Sequence, residues 1–372
     1  MTVTSKSEPL RGLPAGISES SRHARPASFE RSTRVRVYAR SGTGTRARAD
    51  ANSQFSRQIG TAARSGRPPR IPPVRRGGSV RIESVTDIAD MVGERLMIGL
   101  AGSTLTEADV DVFRETRAAG LILYRRNFEG PAALATLLDS LESALGRRLL
   151  VATDHEGGRI VMLGRGTTIF PDNLALGTAG EEAFAFKQGL FEARELRRLG
   201  IDLNLGPCLD VLTDRYSPNI GIRSYGKDPA IVTRYGVARI RGMARGGLSA
   251  CAKHFPGKGH SPLDAHLRLP TIDSSPEEMR ATHLPPFVEA IAAGIESLMT
   301  SHPVYPKLDP SGVPATFSRR RVGDWLRGEL GFGGVIVSDD VEMGAVSEAC
   351  PIGEAAVRAA AAGHDLLLVC HT

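Results

Sequence analysis

Eight short apolar runs recur along this chain of 372 residues, and they limit its fold more than any other feature of the sequence. They occupy residues 96–101, 120–124, 149–154, 202–207, 249–254, 296–301, 334–339 and 365–370. Their apolar residues are consecutive rather than alternating, which is typical of strands buried on both faces of a parallel sheet. Eight such strands separated by helices predict a (β/α)8 TIM-type barrel over residues 80–372.

Helix signals lie between the runs. Thr106 is followed three residues later by Asp109, the pattern of a capping box. Asp228 directly precedes Pro229, which predicts an N-cap with proline in the first helical position. A further helix is predicted after Ser318. The alternative architecture is a doubly wound open sheet, but the first run is followed neither by G-x-G-x-x-G nor by a P-loop, so the phosphate cradle typical of that fold is missing.

Two classes of protein are excluded by what the sequence lacks. No apolar run approaches the ~20 residues that a membrane-spanning helix needs, so no membrane association is expected. The four cysteines are scattered and form no C-x-x-C pair. Their spacing argues against a disulfide framework or a cysteine-rich zinc site, and it suits a reducing compartment.

The positive charge is concentrated at the start of the chain. The first 80 residues contain fifteen arginines and one lysine against four carboxylates, although the whole chain carries a formal net charge of only +6. Because residues 1–79 are rich in Arg, Ser, Gly and Pro and lack apolar periodicity, they are predicted to form a disordered basic leader outside the barrel. Few aromatic residues accompany the arginines, so no nucleic-acid partner is expected. A transit-like peptide and an extension without function are the other interpretations.

Polar side chains follow four of the predicted strands. They are Asp154, the pair Lys253 and His254, the pair Ser301 and His302, and the pair Asp339 and Asp340. A single Asp at a strand end is often only a helix cap. The carboxyl ends of barrel strands, however, meet on one rim, which is where the active sites of barrel enzymes lie. Four polar strand ends therefore predict a functional site on that rim.

The stretch "KHFPGKGHSPLDAH", residues 253–266, holds three of the nine histidines of the chain. Asp264 lies two residues before His266, close enough to orient the imidazole and raise its basicity. Such a pair can donate a proton to a leaving group and later deprotonate water. Asp339, at the end of its strand, is a candidate nucleophile, metal ligand or general base.

A metal site is the competing interpretation of this stretch. His254, His260, His266 and Asp264 all carry side chains that bind zinc. Their six-residue spacings, however, contain no H-x-H or H-x-x-x-H pair, and the stretch also carries two lysines, which would repel a cation. We therefore expect no metal and no cofactor.

Seven segments resemble glycoside hydrolase family 3, specifically the single-domain β-N-acetylglucosaminidases (β-N-acetylhexosaminidases) that bacteria use in peptidoglycan recycling. The resemblance runs from about residue 80 to the end of the chain, and the segments occur in the same order as in the family. They are "ATDHEGGR", "NLGPCLDV", "NIGIRSYGKDP", "KHFPGKGHSPLDAH", "LMTSHPVYP", "PATFS" and "GVIVSDDVEM". The Asp-x-His element is the part that resembles the N-acetylglucosaminidases rather than the wider family.

The resemblance implies retaining hydrolysis of terminal non-reducing β-linked N-acetylglucosamine from peptidoglycan-derived muropeptides. Asp339 would form a covalent glycosyl-enzyme, and His266, oriented by Asp264, would act as acid and base, in contrast to the usual two carboxylates. The residues implied to bind the sugar are Asp154, Arg223, Lys253 and His254. The expected partner is a small carbohydrate. Cytoplasm is the expected location, since no export signal is visible and wall fragments are recycled there in similar bacteria.

Several positions depart from the family pattern. Lys258 stands where a second histidine is common, Ala265 replaces a serine, and Met162 stands where relatives often have a sugar-binding arginine. The sequence ends two residues after Cys370, so the last barrel helix is expected to be missing and the outer face of the last strand exposed. Two alternatives to hydrolysis stay open: a phosphorylase, because histidine repels phosphate less than a carboxylate does, and a non-catalytic sugar-binding remnant.

Overall fold

The computed structural model describes residues 85–213 and 217–371, and its centre is a ring of parallel strands. The strands are β1 (Leu96–Gly99), β2 (Gly120–Leu123), β3 (Leu150–Thr153), β4 (His155–Gly157), β5 (Ile160–Val161), β6 (Leu203–Asn204), β7 (Ser249–Phe255), β8 (Ser297–Thr300), β9 (Val335–Val337) and β10 (Leu367–Val369). Eight of them pair in the order β10-β1-β2-β3-β6-β7-β8-β9. A single parallel bridge between Val337 and Leu366 links the two ends, so the barrel is nearly closed. Each of the eight predicted runs overlaps one barrel strand, which confirms the TIM-type fold.

Helices fill the crossovers between the strands. They are α1 (Val85–Gly93), α2 (Glu107–Thr116), α3 (Pro131–Leu145), α4 (Asn173–Ala179), α5 (Glu182–Arg198), α6 (Pro229–Gly246), α7 (Pro276–Glu278), α8 (Pro285–Ala292), α9 (Gly344–Ser347) and α10 (Ile352–Ala362), with π-helical segments at Met279–His283 and Arg320–Glu329 and 3₁₀ turns at Arg125–Asn127, Gly221–Arg223 and Ala315–Phe317. The capping box of Thr106 and Asp109 is present at α2, and Asp228 caps α6. The helix predicted after Ser318 is the second π-helical segment.

The alternation of side chains along the strands divides the core into two layers. One layer fills the barrel interior and includes Met97, Ile122 and Met299. The other lies between the sheet and the helices and includes the neighbouring strand residues Ile98 and Leu298. Both faces of the sheet are therefore covered, which explains why the strands are apolar at consecutive positions.

The prediction that the last strand exposes its outer face is wrong. Leu367, Leu368 and Val369 are all buried. Val369 belongs to the layer between the sheet and the helices, Leu368 lies in the barrel interior, and α10 packs against the strand that it leads into. The predicted leader, residues 1–79, lies outside the described residues. Within the described part of the chain, no helix is both long and apolar enough to cross a membrane.

Candidate active site

A buried lysine joins the ends of two strands on the rim. Lys253 lies in β7, is 3% exposed, and its ammonium group forms ion pairs with Asp154, which follows β3, and with Oε1 of Glu156 at 2.7 Å. Burial by itself would lower the pKa of Lys253, but the carboxylates of Asp154 and Glu156 raise it above its ordinary value. The lysine is therefore a permanent cation. Its fixed position supplies hydrogen-bond donors at the rim of the barrel.

Arg223 forms the second half of this network. It ends the 3₁₀ turn Gly221–Arg223, and its guanidinium group binds Glu156 through two parallel contacts, Nε to Oε2 at 2.9 Å and Nη2 to Oε1 at 2.7 Å. Burial favours the protonated form of Glu156, but Arg223 and then Lys253 outweigh it and hold the pKa of that carboxyl well below its usual range. Glu156 therefore stays charged while it is only 2% exposed. Two cations and one buried anion orient each other.

His254 follows Lys253 and is held as a neutral imidazole. Its Nδ1 lies 2.6 Å from Oδ2 of Asp210, and its Nε2 lies 3.4 Å from Nη2 of Arg223. Because a guanidinium can only donate, Nε2 accepts and Nδ1 carries the proton. Burial first, and then the charges of Lys258 and Arg223, lower the pKa of His254 well below its usual value.

Asp210, the residue that contacts Nδ1 of His254, is itself held by further hydrogen bonds. Its carboxylate also accepts hydrogen bonds from the Cys208 thiol, at 3.1 Å, and from the backbone N–H of Lys258, at 2.6 Å. Cys208, Asp210 and His254 are the group of possible metal ligands found among the described residues, with ligand atoms within 4.8 Å of one another. Burial raises the pKa of the Cys208 thiol far above its usual value, so the thiol keeps its proton and donates it to Asp210. The four ligands considered from the sequence do not form such a group in the described part of the chain.

Asp339 follows β9 and presents an ionised carboxylate. Its Oδ1 accepts from the backbone N–H of Asp340 at 3.0 Å, and its Oδ2 lies 3.4 Å from the ammonium group of Lys258. Burial would raise the pKa of Asp339, but Lys258, followed by His302 and His266, holds it far below its usual range. The side chain is 14% exposed, so a ligand on the rim can reach it.

The Asp264–His266 pair predicted from the sequence is formed. Nδ1 of His266 lies 2.7 Å from Oδ1 of Asp264, and the His266 side chain is 61% exposed. Burial opposes ionisation of Asp264, but hydrogen bonds from the backbone N–H and the imidazole of His266 together outweigh it and lower the pKa of Asp264 below its usual value. The amide nitrogen of Asn219 lies 2.5 Å from Oδ1 of Asp264, and the same asparagine accepts from Arg223 at 2.9 Å.

The structure therefore brings together the seven residues predicted from the sequence to be catalytic or to bind the sugar. Asp154, Arg223, Lys253 and His254 share one buried network; Asp264 and His266 join it through Asn219, and Asp339 joins it through Lys258. Glu156, Asp210 and Asn219 were not predicted from the sequence. All three lie inside the quoted segments, but nothing in the sequence identifies their partners. Met162 packs on the core between sheet and helices.

Comparison with known proteins assigns the chain to a family. Residues 88–372 match the glycosyl hydrolase family 3 N-terminal domain. A β-hexosaminidase of Pseudomonas aeruginosa is 39% identical over 280 residues, which are 74% of this chain and 82% of that protein. A β-hexosaminidase of Methylobacillus flagellatus is 35% identical over 282 residues, 74% of this chain and 80% of that protein.

Solved structures agree with this assignment. A family 3 β-N-acetylglucosaminidase from Paenibacillus sp. str. FPU-7 superposes with a TM-score of 0.74 at 39% identity; the match covers 76% of this chain and spans 54% of the Paenibacillus chain. NagZ from Neisseria gonorrhoeae, in complex with N-trifluoroacetyl-D-glucosamine, superposes with a TM-score of 0.68 at 36% identity, covering 74% of this chain and 81% of that one. The chain therefore belongs to glycosyl hydrolase family 3, a family of glycosidases, alongside these β-hexosaminidases.

Proposed function

We propose that this protein removes terminal non-reducing β-linked N-acetylglucosamine by a retaining mechanism. The observation that carries the proposal is the pairing of one ionised carboxylate, Asp339, with one exposed imidazole, His266, whose other nitrogen contacts Asp264. A nucleophile and a proton donor are the two groups that retaining glycosidases require. The names of the relatives, β-hexosaminidase and β-N-acetylglucosaminidase, support the choice of sugar.

The first chemical step forms a glycosyl-enzyme. Asp339 attacks the anomeric carbon while protonated His266 gives its Nε2 proton to the leaving glycosidic oxygen, so one C–O bond forms as the other breaks. Asp264 stabilises the imidazolium form because it accepts from Nδ1. Lys258 lies beside Asp339 and keeps the attacking carboxylate unprotonated.

The second step reverses these roles. Neutral His266 takes a proton from water as the water attacks the anomeric carbon, and the Asp339 carboxylate leaves. Two inversions at the same carbon retain the β configuration. An exposed imidazole suits both steps, since leaving group and water approach it from the solvent side.

We propose that the buried network of Lys253, Glu156, Arg223 and their neighbours binds the hydroxyl groups of the sugar. Asp154, Arg223, Lys253 and His254 present fixed charged or polar groups at the rim. Sugar hydroxyls both donate and accept hydrogen bonds, and bonds to charged partners are the strong ones. Because these groups are already fixed by one another, the sugar does not have to order them on binding.

As physiological substrate we propose peptidoglycan-derived muropeptides, hydrolysed in the cytoplasm. The resemblance of the sequence motifs to recycling enzymes supports this choice. Purified muropeptides that carry a terminal N-acetylglucosamine should release that sugar, whereas those without it should be unchanged. Export of the protein in a fractionated culture would contradict the location.

The decisive experiment follows hydrolysis of 4-nitrophenyl N-acetyl-β-D-glucosaminide by NMR, with and without phosphate. The β anomer of free N-acetylglucosamine should appear first, since a retaining enzyme preserves the configuration. Initial release of the α anomer would overturn the mechanism. N-acetylglucosamine 1-phosphate as the product would identify the phosphorylase instead, and sugar binding without turnover by the folded protein would identify a remnant.

Replacing His266 by Ala should make the rate depend strongly on the leaving group. Hydrolysis of N,N′-diacetylchitobiose, whose leaving group needs a proton, should slow by about 10² to 10⁴-fold. Cleavage of the 4-nitrophenyl glycoside in the glycosylation step should slow much less, because nitrophenolate leaves without protonation. Steady-state and burst kinetics on both substrates measure the difference.

His260→Ala is the matched control for this prediction. His260 lies in the same loop, but its Nε2 contacts Ser274 at 2.8 Å and its ring stacks on His283. The control should leave the ratio of the two rates unchanged. Equal rate losses on both substrates in His266→Ala would contradict the acid/base role.

Replacing Lys258 by Met should move the acid limb of kcat/KM to higher pH. Asp339 must be ionised to attack, and its depressed pKa keeps it ionised until the pH falls through that low value. Removing the ammonium group 3.4 Å away raises the pKa of Asp339, so activity is lost at less acidic pH, by about one pH unit or more. The profile is measured on the 4-nitrophenyl glycoside. Lys258→Arg keeps the charge and should keep the limb; an unmoved limb in Lys258→Met would refute the electrostatic explanation.

A further inference from the structure

Asn219 lies between the arginine of the sugar site and the acid/base pair. It is only 4% exposed. Its side-chain oxygen accepts from Nη1 of Arg223 at 2.9 Å, and its side-chain nitrogen lies 2.5 Å from Oδ1 of Asp264 and 3.1 Å from Nδ1 of His266. A guanidinium only donates and an ionised carboxylate only accepts, so these two neighbours fix the orientation of the amide.

The amide nitrogen of Asn219 favours the ionised form of Asp264, and Asp264 in turn orients His266. Oδ1 of Asp264 accepts from three donors: the Asn219 amide, Nδ1 of His266 and the backbone N–H of His266. Three hydrogen bonds to one oxygen stabilise the charged carboxylate. Since Nδ1 of His266 donates to Asp264, Nε2 is the nitrogen that remains for proton transfer.

The loop that carries the pair is docked on the barrel from two sides. On one side, Gly344 and Ala345 at the start of α9 donate their backbone N–H groups to the carbonyls of His266, at 3.3 Å, and Ala265, at 3.1 Å. A Cβ atom on Gly344 would lie 2.7 Å from the His266 carbonyl oxygen, so this approach requires glycine. On the other side, the contact is the Asn219 amide.

We propose that Asn219 is a positioning residue that couples occupation of the sugar site to the placement of His266. The inference rests on the proposed function and adds to it the link between recognition and proton transfer. The path is short and buried: Glu156 fixes Arg223 through two hydrogen bonds, Arg223 fixes the Asn219 oxygen, and the Asn219 nitrogen fixes Asp264. A sugar bound to Arg223 therefore adds a further restraint to the acid/base pair through these contacts.

The first test separates positioning from sugar binding. Asn219→Ala should lower kcat for N,N′-diacetylchitobiose by about 10- to 100-fold, because a proton donor misplaced by about 1 Å loses that much. KM should change by less than about twofold, since Arg223 keeps both contacts to Glu156 and still donates to the backbone carbonyl of Asn219 at 2.9 Å. The rate at which the 4-nitrophenyl glycoside forms the glycosyl-enzyme should be nearly unaffected. Equal losses on both substrates, or a loss confined to KM, would overturn the proposal.

Two further variants define what the amide contributes. Asn219→Asp keeps the size and the acceptor for Arg223 but removes the donor to Asp264, so it should show the same leaving-group dependence as Asn219→Ala. Asn127→Ala is the control: Asn127 is equally buried and donates to the carbonyls of Leu100 and Gly102 in another loop. It should lower stability without changing the ratio of the two rates. Full chitobiose turnover by Asn219→Asp would overturn the proposal.

The second test needs no turnover. Amide hydrogen exchange in residues 256–269 should slow when N-acetylglucosamine binds to the wild-type protein, because the sugar stabilises the docked loop. In Asn219→Ala, the sugar should still protect residues near Arg223 but no longer protect this loop. If the loop is protected equally in both proteins, or in neither, the coupling is refuted. A wild-type protein that binds the sugar without hydrolysing it would refute the proposed hydrolysis, and the exchange experiment would still decide the coupling.

Discussion

Asp339→Ala should lose about 10⁴-fold or more of the wild-type kcat on the 4-nitrophenyl glycoside, the largest effect expected from any single substitution. The proposed mechanism needs a carboxylate that forms a bond to the anomeric carbon, and we do not expect the neighbouring Asp340 to replace it. The Asp340 side chain accepts from the backbone N–H of Glu342 at 3.0 Å, and burial, followed by the charges of Glu342 and Asp339, raises its pKa to about 6.

Two additional measurements make this prediction specific to a nucleophile. A fluorinated N-acetylglucosaminide that is hydrolysed slowly should label Asp339 in the wild-type protein, and peptide mass spectrometry should locate the label. Azide should restore cleavage by Asp339→Ala and give the α-glycosyl azide, because azide then attacks from the side that the carboxylate occupied. A label on Asp340 instead, or the β-azide, would contradict the assignment.

Loss of folding must be separated from loss of the nucleophile. Asp339→Ala leaves the ammonium group of Lys258, which is 2% exposed, without its carboxylate partner. Asp339→Asn is therefore the matched variant, since it keeps the size of the side chain and an oxygen near Lys258. Both variants should be inactive, and a cooperative thermal transition in either one shows that the inactive protein is folded.

Glu156→Ala should cause the largest loss of stability among the site residues. Glu156 is the buried anion between two buried cations, Arg223 at 2.7 Å and Lys253 at 2.7 Å. Removing one partner of a buried ion pair costs about 3–5 kcal/mol of the free energy of unfolding. Here Arg223 loses its carboxylate partner while it stays buried, whereas Lys253 keeps its ion pair with Asp154. Denaturant unfolding of the wild-type protein and of Glu156→Ala measures the difference in the free energy of unfolding.

Activity should fall together with the stability of Glu156→Ala. Arg223 loses both hydrogen bonds to Glu156, so its proposed contact with the sugar is misplaced, and kcat/KM should fall by about 10²-fold in the folded protein. Glu156→Gln keeps the shape of the side chain and should fold more stably than Glu156→Ala while remaining impaired.

Asp202→Ala is the control for this prediction. Asp202 is also a buried carboxylate between two arginines, Arg148 at 2.8 Å and Arg197 at 2.6 Å, but it lies at the opposite, amino end of β6. It should lose stability and, below its unfolding transition, keep a normal kcat/KM. Normal kcat/KM in Glu156→Gln would show that the network serves stability alone.

The site residues that the sequence predicts correctly are those that belong to local sequence patterns. Consecutive apolar residues identify a doubly buried strand, and a polar residue within two positions of the end of such a strand lies on the carboxyl-end rim of the barrel, as Asp154 and Asp339 do. The Asp264–His266 contact spans two residues, so it too is visible in the sequence. The exposure expected for the last strand was wrong because burial of Val369 depends on elements distant in the chain.

The sequence by itself thus determined the barrel, the rim and the Asp264–His266 pair, because each depends on local periodicity or short spacing. Only the tertiary structure decided which charges pair. Glu156 and Arg223 are 67 residues apart in the chain, and Lys258 and Asp339 are 81 residues apart. Their ionisation depends on burial and on charges within a few ångströms, and these exist only once distant strands have met on one rim.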